Sequence, residues 1–289
     1  MLYLNLVPGF HPVNRAVIDL PLKSIIGYSK FKFPGGEPHI KLDLDFDKSQ
    51  EITITTRMST MDDLMFLLLA TDALRRARIE NISVFISYLP FARQDRVMEF
   101  GEPLSLKVIA DIINSQNYKA VGLFDVHSDT ALALINHSQN ESNHMFVNQI
   151  LKDKINYKLV CPDAGAYKKI FKLAQVLEYK DTIVMCNKIR NLSTGKIVST
   201  QVINDNPITG GDYFIVDDIC DGGATFIAIA EELHKTDEDA KVNLIVTHGI
   251  FSKGYKNLLF NGINHLYTTD SIEQKDTDPF QSSITIINL

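Results

Sequence analysis

Residues 213–225, Tyr-Phe-Ile-Val-Asp-Asp-Ile-Cys-Asp-Gly-Gly-Ala-Thr, concentrate more usable chemistry than any other stretch of the chain. The apolar run 213–216 has the length and content of a buried parallel strand, and 226–233 has helical spacing. Asp221 to Thr225 are therefore expected at a strand-to-helix turn. The first backbone N–H groups of such a helix lack intrahelical partners and sit at the positive end of its dipole, which suits a phosphate. Gly222 and Gly223 let a ligand approach the backbone closely, and Ala224 adds only a methyl group. Asp217 and Asp218 are acceptors for the paired hydroxyls of a ribose, or ligands for a hard cation such as magnesium. The plain alternative is an acidic turn with Thr225 as helix cap. Three carboxylates gathered at one strand end argue against it, because packing gives no reason to collect like charges. The stretch reads as a ribose-phosphate site.

What must position these residues is a series of apolar strands alternating with helices. Strands are expected over 83–87, 120–124, 159–161, 182–186, 213–216, 242–246 and 283–287, with helices over 64–78 and 104–113. That alternation is the pattern of an α/β protein with mostly parallel sheets. The chain has 289 residues, enough for two domains that each bury a core. A polar passage, 137–144, is the expected boundary, giving domains 1–140 and 141–289. Residues 273–281 are charged and turn-rich, and are expected to form a surface loop before a last strand.

Composition narrows the function classes. Hydrophobic residues make up 45% and charged residues 22%, as in a soluble globular protein. A net charge of −6 excludes a general nucleic-acid binder, which would present a basic surface. No apolar run approaches a membrane span, and the start of the chain, broken by Pro8, reads as a first strand and not as a signal peptide. Three scattered cysteines, Cys161, Cys186 and Cys220, imply buried thiols and a reducing, cytoplasmic setting.

Beyond the 213–225 stretch, Tyr88-Leu-Pro-Phe-Ala-Arg-Gln-Asp-Arg96, Phe33-Pro-Gly-Gly-Glu37, Asp125-Val-His127, Pro162-Asp163, Lys188-Ile-Arg190 and Thr247-His-Gly-Ile-Phe-Ser252 are spread along the chain. Taken in chain order they resemble the motifs of ribose-phosphate pyrophosphokinases, the PRPP synthetases, over nearly the whole chain. Simple phosphoribosyltransferases share the 213–225 motif but have no counterpart to 88–96. The resemblance implies two tandem phosphoribosyltransferase-like, Rossmann-like domains, the first with an ATP-binding segment and the second with the ribose-phosphate loop. It implies ATP and a ribose 5-phosphate compound as substrates and magnesium as cofactor, held by His127 and Asp163. Lys188 and Arg190, with His127, become the catalytic residues. Arg93 and Gln94 hold ATP, while Phe33 and Glu37 reach the adenine from a neighbouring subunit of a homodimer or larger homo-oligomer. Asp217, Asp218 and the loop Asp221, Gly222, Gly223, Ala224, Thr225 hold the ribose phosphate.

The bland readings are a surface histidine at His127, core packing at Phe33, a capping or surface role for Arg93 and a solvated basic hairpin at Lys188 and Arg190. Two departures from the family pattern matter. Gly222 stands where the family's loop carries threonine, which removes a hydroxyl and opens the 5-phosphate region; Gly35 stands where the family prefers Asn or Asp. The expected reaction is diphosphoryl transfer from ATP to the anomeric hydroxyl of ribose 5-phosphate, giving PRPP and AMP. The alternatives are the same chemistry on ADP-ribose, and a catalytically silent regulatory homologue.

Overall fold

The computed structural model describes residues 1–7, 25–190, 197–203, 210–273 and 281–289. Two compact units emerge: Met1–Ser142 with Ser271–Glu273 and Asn288–Leu289, and Asn143–Asp270 with Gln274–Ile287.

The first unit is built on a five-stranded sheet in the order β1 (Leu2–Asn5), β4 (Ile52–Thr56), β5 (Ile82–Ile86), β6 (Val121–Phe124), β7 (Ser138–Glu141), with every neighbouring pair parallel. Helices α1 (Met61–Arg76), α2 (Ser105–Asn114) and α3 (Asp129–Leu134) link successive strands. β2 (Tyr28–Lys32) and β3 (Pro38–Leu42) form a separate antiparallel hairpin. The local sequence explains α1. The Thr60 side chain accepts the Asp63 N–H while Asp63 accepts the Thr60 N–H, a capping box worth about 1 kcal/mol. Leu64, Leu67, Thr71 and Leu74 recur at helical spacing and are buried. Ile52, Ile54, Ile82, Val84, Ile86 and Leu123 form the facing core, and each such side chain contributes about 1.5–3 kcal/mol.

The division between the two units, at Ser142 and Asn143, falls inside the polar passage 137–144, and Ser138–Glu141 of that passage adds a strand, β7, beside β6. It lies at the sheet edge and is largely exposed, so its residues carry no apolar pattern.

The second unit has a seven-stranded sheet in the order β10 (Ile197–Ile203), β9 (Val184–Arg190), β8 (Tyr157–Cys161), β11 (Asp212–Cys220), β12 (Lys241–Gly249), β13 (His265–Thr269), β14 (Ile284–Ile287). Only β10 runs antiparallel to its neighbour. Its helices are α4 (His144–Leu151), α5 (Tyr167–Val176), α6 (Ala224–Thr236) and α7 (Lys256–Leu259). Tyr213 and Ile215 pack with Phe226, Ile229 and Leu233 of α6; Phe214 and Val216 pack with Phe146 of α4 and Ile170 and Leu173 of α5. A strand covered on both faces needs apolar residues at consecutive positions, hence the unbroken run 213–216.

Two strands run further than their apolar content implies. β11 continues through Asp217 and Asp218 to Cys220, because Ile219 and Cys220 still pair with His248 and Gly249 of β12. β9 continues to Arg190 because β10 returns alongside it. Most of the loop expected over 273–281, its residues 274–280, lies outside the described residues. All three cysteines are buried thiols. Among the described residues no helix is long and apolar enough to cross a membrane.

Candidate active site

The 221–225 turn sits between the carboxyl end of β11 and α6. Gly223 occupies the helix N-cap position in the left-handed conformation, φ 78°, and no side chain caps the helix. Thr225 is therefore inside the first turn and is not the cap. Unlike α1 and α3, which are capped by Thr60 and Ser128, α6 keeps its first N–H groups available for a ligand. A Cβ on Gly223 would lie 2.5 Å from Leu258 Cδ2, which together with the positive φ disfavours any side chain there. Gly222 differs. A Cβ there would meet Lys253 Cε at 3.5 Å and Cδ at 3.6 Å, ordinary contact distances, so the space left by the missing threonine is flanked by the Lys253 stem.

Asp218 is buried and receives a hydrogen bond from Lys169 Nζ at 2.8 Å. Asp217 is half-buried, and its Oδ1 accepts the Asp218 N–H at 2.9 Å. Both border a depression shared with Asn143, Lys169 and Ile170. Asn143 Nδ2 in turn donates to Thr247 Oγ1 at 3.1 Å, and the Thr269 hydroxyl donates to the Thr247 carbonyl at 2.7 Å, which fixes the end of β12 beside the acidic pair. Asp163, after β8, turns its Oδ1 onto the N–H groups of Gly165 and Ala166 at 3.0 and 3.1 Å, leading the chain into α5.

In the first unit, β6 delivers Asp125, buried and at φ 42°, then Val126 and an exposed His127 just before the α3 cap Ser128. The Ser128 hydroxyl also donates to Asp95 Oδ2 at 2.7 Å. The His127 turn is thus tied to the segment of Arg93 and Gln94, both exposed. Asp95 is held below the usual carboxylate range, chiefly by its hydrogen bond from Arg96 and further by Ser128, against the opposing effect of burial. Phe33 is 48% exposed, so the core-packing reading of this ring fails. It closes the β2–β3 hairpin, its N–H donating to the Glu37 carbonyl at 2.9 Å, and it stacks edge-on to Phe31 with centroids 4.9 Å apart. Glu37 is exposed and its carboxylate lies over Gly35.

Lys188 and Arg190 lie on β9 opposite Thr200 and Ile197; their side chains, and residues 191–196, fall outside the described residues. Among the described residues no group of three or more His, Cys, Asp or Glu side chains converges as a metal site. Magnesium takes one or two carboxylates when waters and substrate phosphates complete its shell. A carboxylate such as Asp163 fits an ion that arrives with a nucleotide.

Residues 17–116 match the pattern of the N-terminal domain of ribose phosphate pyrophosphokinase. The ribose-phosphate pyrophosphokinase of Mycoplasma genitalium is 30% identical over 254 residues, covering 84% of this chain and 74% of that one. This chain belongs to the ribose-phosphate pyrophosphokinase family. The family's protein in Mycoplasmopsis pulmonis is 27% identical over 291 residues, covering 98% and 88% of the two chains. The crystal structure of phosphoribosylpyrophosphate synthetase from Mycobacterium smegmatis aligns with a TM-score of 0.79 over 99% of this chain and 93% of that one, at 20% identity, and so shares its fold.

For a ribose-phosphate pyrophosphokinase, three residues go unnoticed in the motif reading: Asn143, Lys169 and Lys253. Lys169 has a usable signal. Lys168 and Lys169 stand in the first turn of α5, where the helix dipole disfavours cations and that turn itself carries no acidic residue. A misplaced charge of this kind marks a position held for another purpose.

Proposed function

We propose that this chain is an ATP-dependent ribose-phosphate diphosphokinase that converts ribose 5-phosphate and ATP to PRPP and AMP. The observation that carries the reading is the start of α6: a helix terminus with no side-chain cap, entered through a left-handed glycine, directly after a strand end bearing three carboxylates. Backbone N–H groups of residues 223–225 hold the 5-phosphate. Asp217 and Asp218 accept hydrogen bonds from the ribose hydroxyls, and Lys169 keeps the Asp218 carboxylate in place before the sugar arrives. Arg93 and Gln94 bind ATP. The anomeric oxygen attacks the β-phosphorus, a new O–P bond forms, and the bond between the β-phosphorus and the α,β-bridging oxygen breaks, its electron pair leaving with AMP. Lys188 and Arg190 meet the charge that develops on the transferring group. His127 and Asp163 would hold magnesium, which would supply charge neutralisation to the transferring phosphates.

ADP-ribose is the second acceptor to weigh, because Gly222 lacks the threonine side chain. The Lys253 stem beside Gly222 favours the smaller ribose 5-phosphate. The protein incubated with ATP and magnesium, with each acceptor in a separate tube, distinguishes them by product mass; no product from either leaves a silent homologue.

An exposed Phe33 and Glu37 support an ATP site completed by a second copy of the chain, working in the cytoplasm. If so, inactive Phe33→Ala/Glu37→Ala chains mixed with inactive Asp217→Ala/Asp218→Ala chains regain activity. Verified subunit exchange without recovery excludes the shared site.

A further inference from the structure

We propose that Lys253 is a substrate-binding residue of this chain, whose ammonium contacts the 5-phosphate of the acceptor in place of a side chain at position 222. The inference rests on the reading of residues 221–225 as the 5-phosphate loop.

Residues 250–258 are docked directly on that loop. The N–H groups of Ile250 and Phe251 both donate to the Cys220 carbonyl, at 2.9 and 3.1 Å. Asn257 Nδ2 reaches the Gly222 carbonyl at 3.5 Å, and Leu258 covers Gly223. The turn between them is sharply bent, with Phe251 at φ 47° and Gly254 at φ 72°, and closed by a Gly254 N–H to Phe251 carbonyl bond of 2.7 Å. Phe251, Tyr255 and Leu258 are buried, so the tip of the segment is anchored from both sides. Lys253 is at that tip.

Its stem lies along the loop. Cε, Cδ and Cγ lie 3.5, 3.6 and 3.8 Å from where a Gly222 Cβ would be. The ammonium, one bond further, is held within about 5 Å of that point. Among the described residues it makes no hydrogen bond and no ion pair, and the residue is exposed. A lysine whose stem is packed onto a glycine of a phosphate loop, with its charged end uncommitted, has already lost much of the rotamer freedom that binding an anion would otherwise cost. The carboxylates that lead into the loop, at 217, 218 and 221, repel an incoming phosphate, and a cation beside Gly222 offsets them.

Calorimetric titration of ribose 5-phosphate, and of inorganic phosphate as a separate probe, into the full chain and its Lys253→Met and Lys253→Arg variants tests this, alongside KM values for both substrates. Methionine keeps most of the stem and removes the charge. Lys253→Met should weaken ribose 5-phosphate and phosphate binding, and raise the ribose 5-phosphate KM, by about 10- to 100-fold, the range of a hydrogen bond between charged groups. KM for ATP should be unchanged, and Lys253→Arg should restore most of the loss. Gly222→Thr, which needs the space of the stem, should mimic the loss, with no further loss on adding Lys253→Met. Parent protein that binds and turns over ribose 5-phosphate while Lys253→Met does so equally well overturns the inference and leaves the function standing. Parent protein that neither binds nor turns over ribose 5-phosphate overturns the function, and the inference with it.

Discussion

Two adjacent glycines in the 221–225 turn should respond oppositely to the same substitution. In Gly223→Ala the backbone stays at φ 78°, a left-handed conformation that costs a residue bearing a Cβ about 1–2 kcal/mol. The new methyl would stand 2.5 Å from Leu258 Cδ2 and 3.1 Å from Cγ. Leu258 is a fully packed core residue, and overpacking of that sort costs about 1–3 kcal/mol more. The sum, about 2–5 kcal/mol, is a large share of an ordinary domain's 5–15 kcal/mol or so. In Gly222→Ala the methyl meets only the Lys253 stem, at 3.5 Å, with no positive φ to strain. The loss of freedom in the unfolded chain then leaves stability unchanged or raised by up to about 1 kcal/mol.

Urea unfolding followed by circular dichroism and by tyrosine fluorescence measures the difference, with m-values compared to guard against a change in the unfolding mechanism. A cycle with Leu258→Ala separates the two causes. Removing the leucine side chain should recover the clash, giving a coupling of about 1–3 kcal/mol, and should leave the backbone strain. Equal midpoints for Gly223→Ala and the parent would refute the geometry of the loop, and so would a Gly222→Ala variant that falls as far as Gly223→Ala.

Lys188→Ala should lower turnover about 100-fold or more while leaving ATP binding nearly intact, because its proposed role is on charge developing in transfer; near-normal turnover removes it from the mechanism. Lys158 is fully buried and donates to Asp181 at 2.7 Å, while Asp181 is 39% exposed. Asp181→Ala, which leaves the ammonium only the Thr182 hydroxyl at 3.4 Å, should cost about 2–4 kcal/mol in thermal unfolding, and Lys158→Met clearly less; equal losses would show that the pair's attraction, not the buried charge, decides. His265 is stacked on Tyr267, paired with Thr285, and pushed below its ordinary 6.5 by burial and then by the charge of Lys154. Its neutral form is therefore the folded form, and the stability it contributes is present above pH 6.5 and lost as pH falls from there to the lowered value. His265→Gln should flatten that slope in urea midpoints taken across the window, and a slope that persists unchanged would assign the pH dependence to other groups.

Much of this arrangement is legible in the order of residues along the chain, and the reasons differ by element. β11, buried on both faces, shows at 213–216 as an unbroken apolar run because two helical layers need it so, and β8 and β12 carry shorter runs at 159–161 and 244–246. β7 is hidden because an edge strand of Ser-Gln-Asn-Glu satisfies its backbone from one neighbour and shows water the rest. The ends of β9 and β11 are hidden for a related reason. Pairing with β10 and β12 carries each strand on past its apolar residues, so composition marks where burial stops and not where the ladder stops.

Site residues divide along the same line. Asp217, Asp218 and the glycines are visible as a cluster because they are nearly consecutive, whereas Lys169 and Lys253 reach the same corner from α5 and from the turn before α7. Neither sits in a motif, and each is conspicuous only as a cation in the wrong local setting. Lys169 opens a helix whose dipole repels it, and Lys253 lays its stem along a glycine. For Lys169 the partner is on β11: its ammonium meets the buried Asp218 carboxylate. For Lys253 the proposed partner is the acceptor's phosphate, because an acidic strand end that receives an anionic sugar needs positive charge close by.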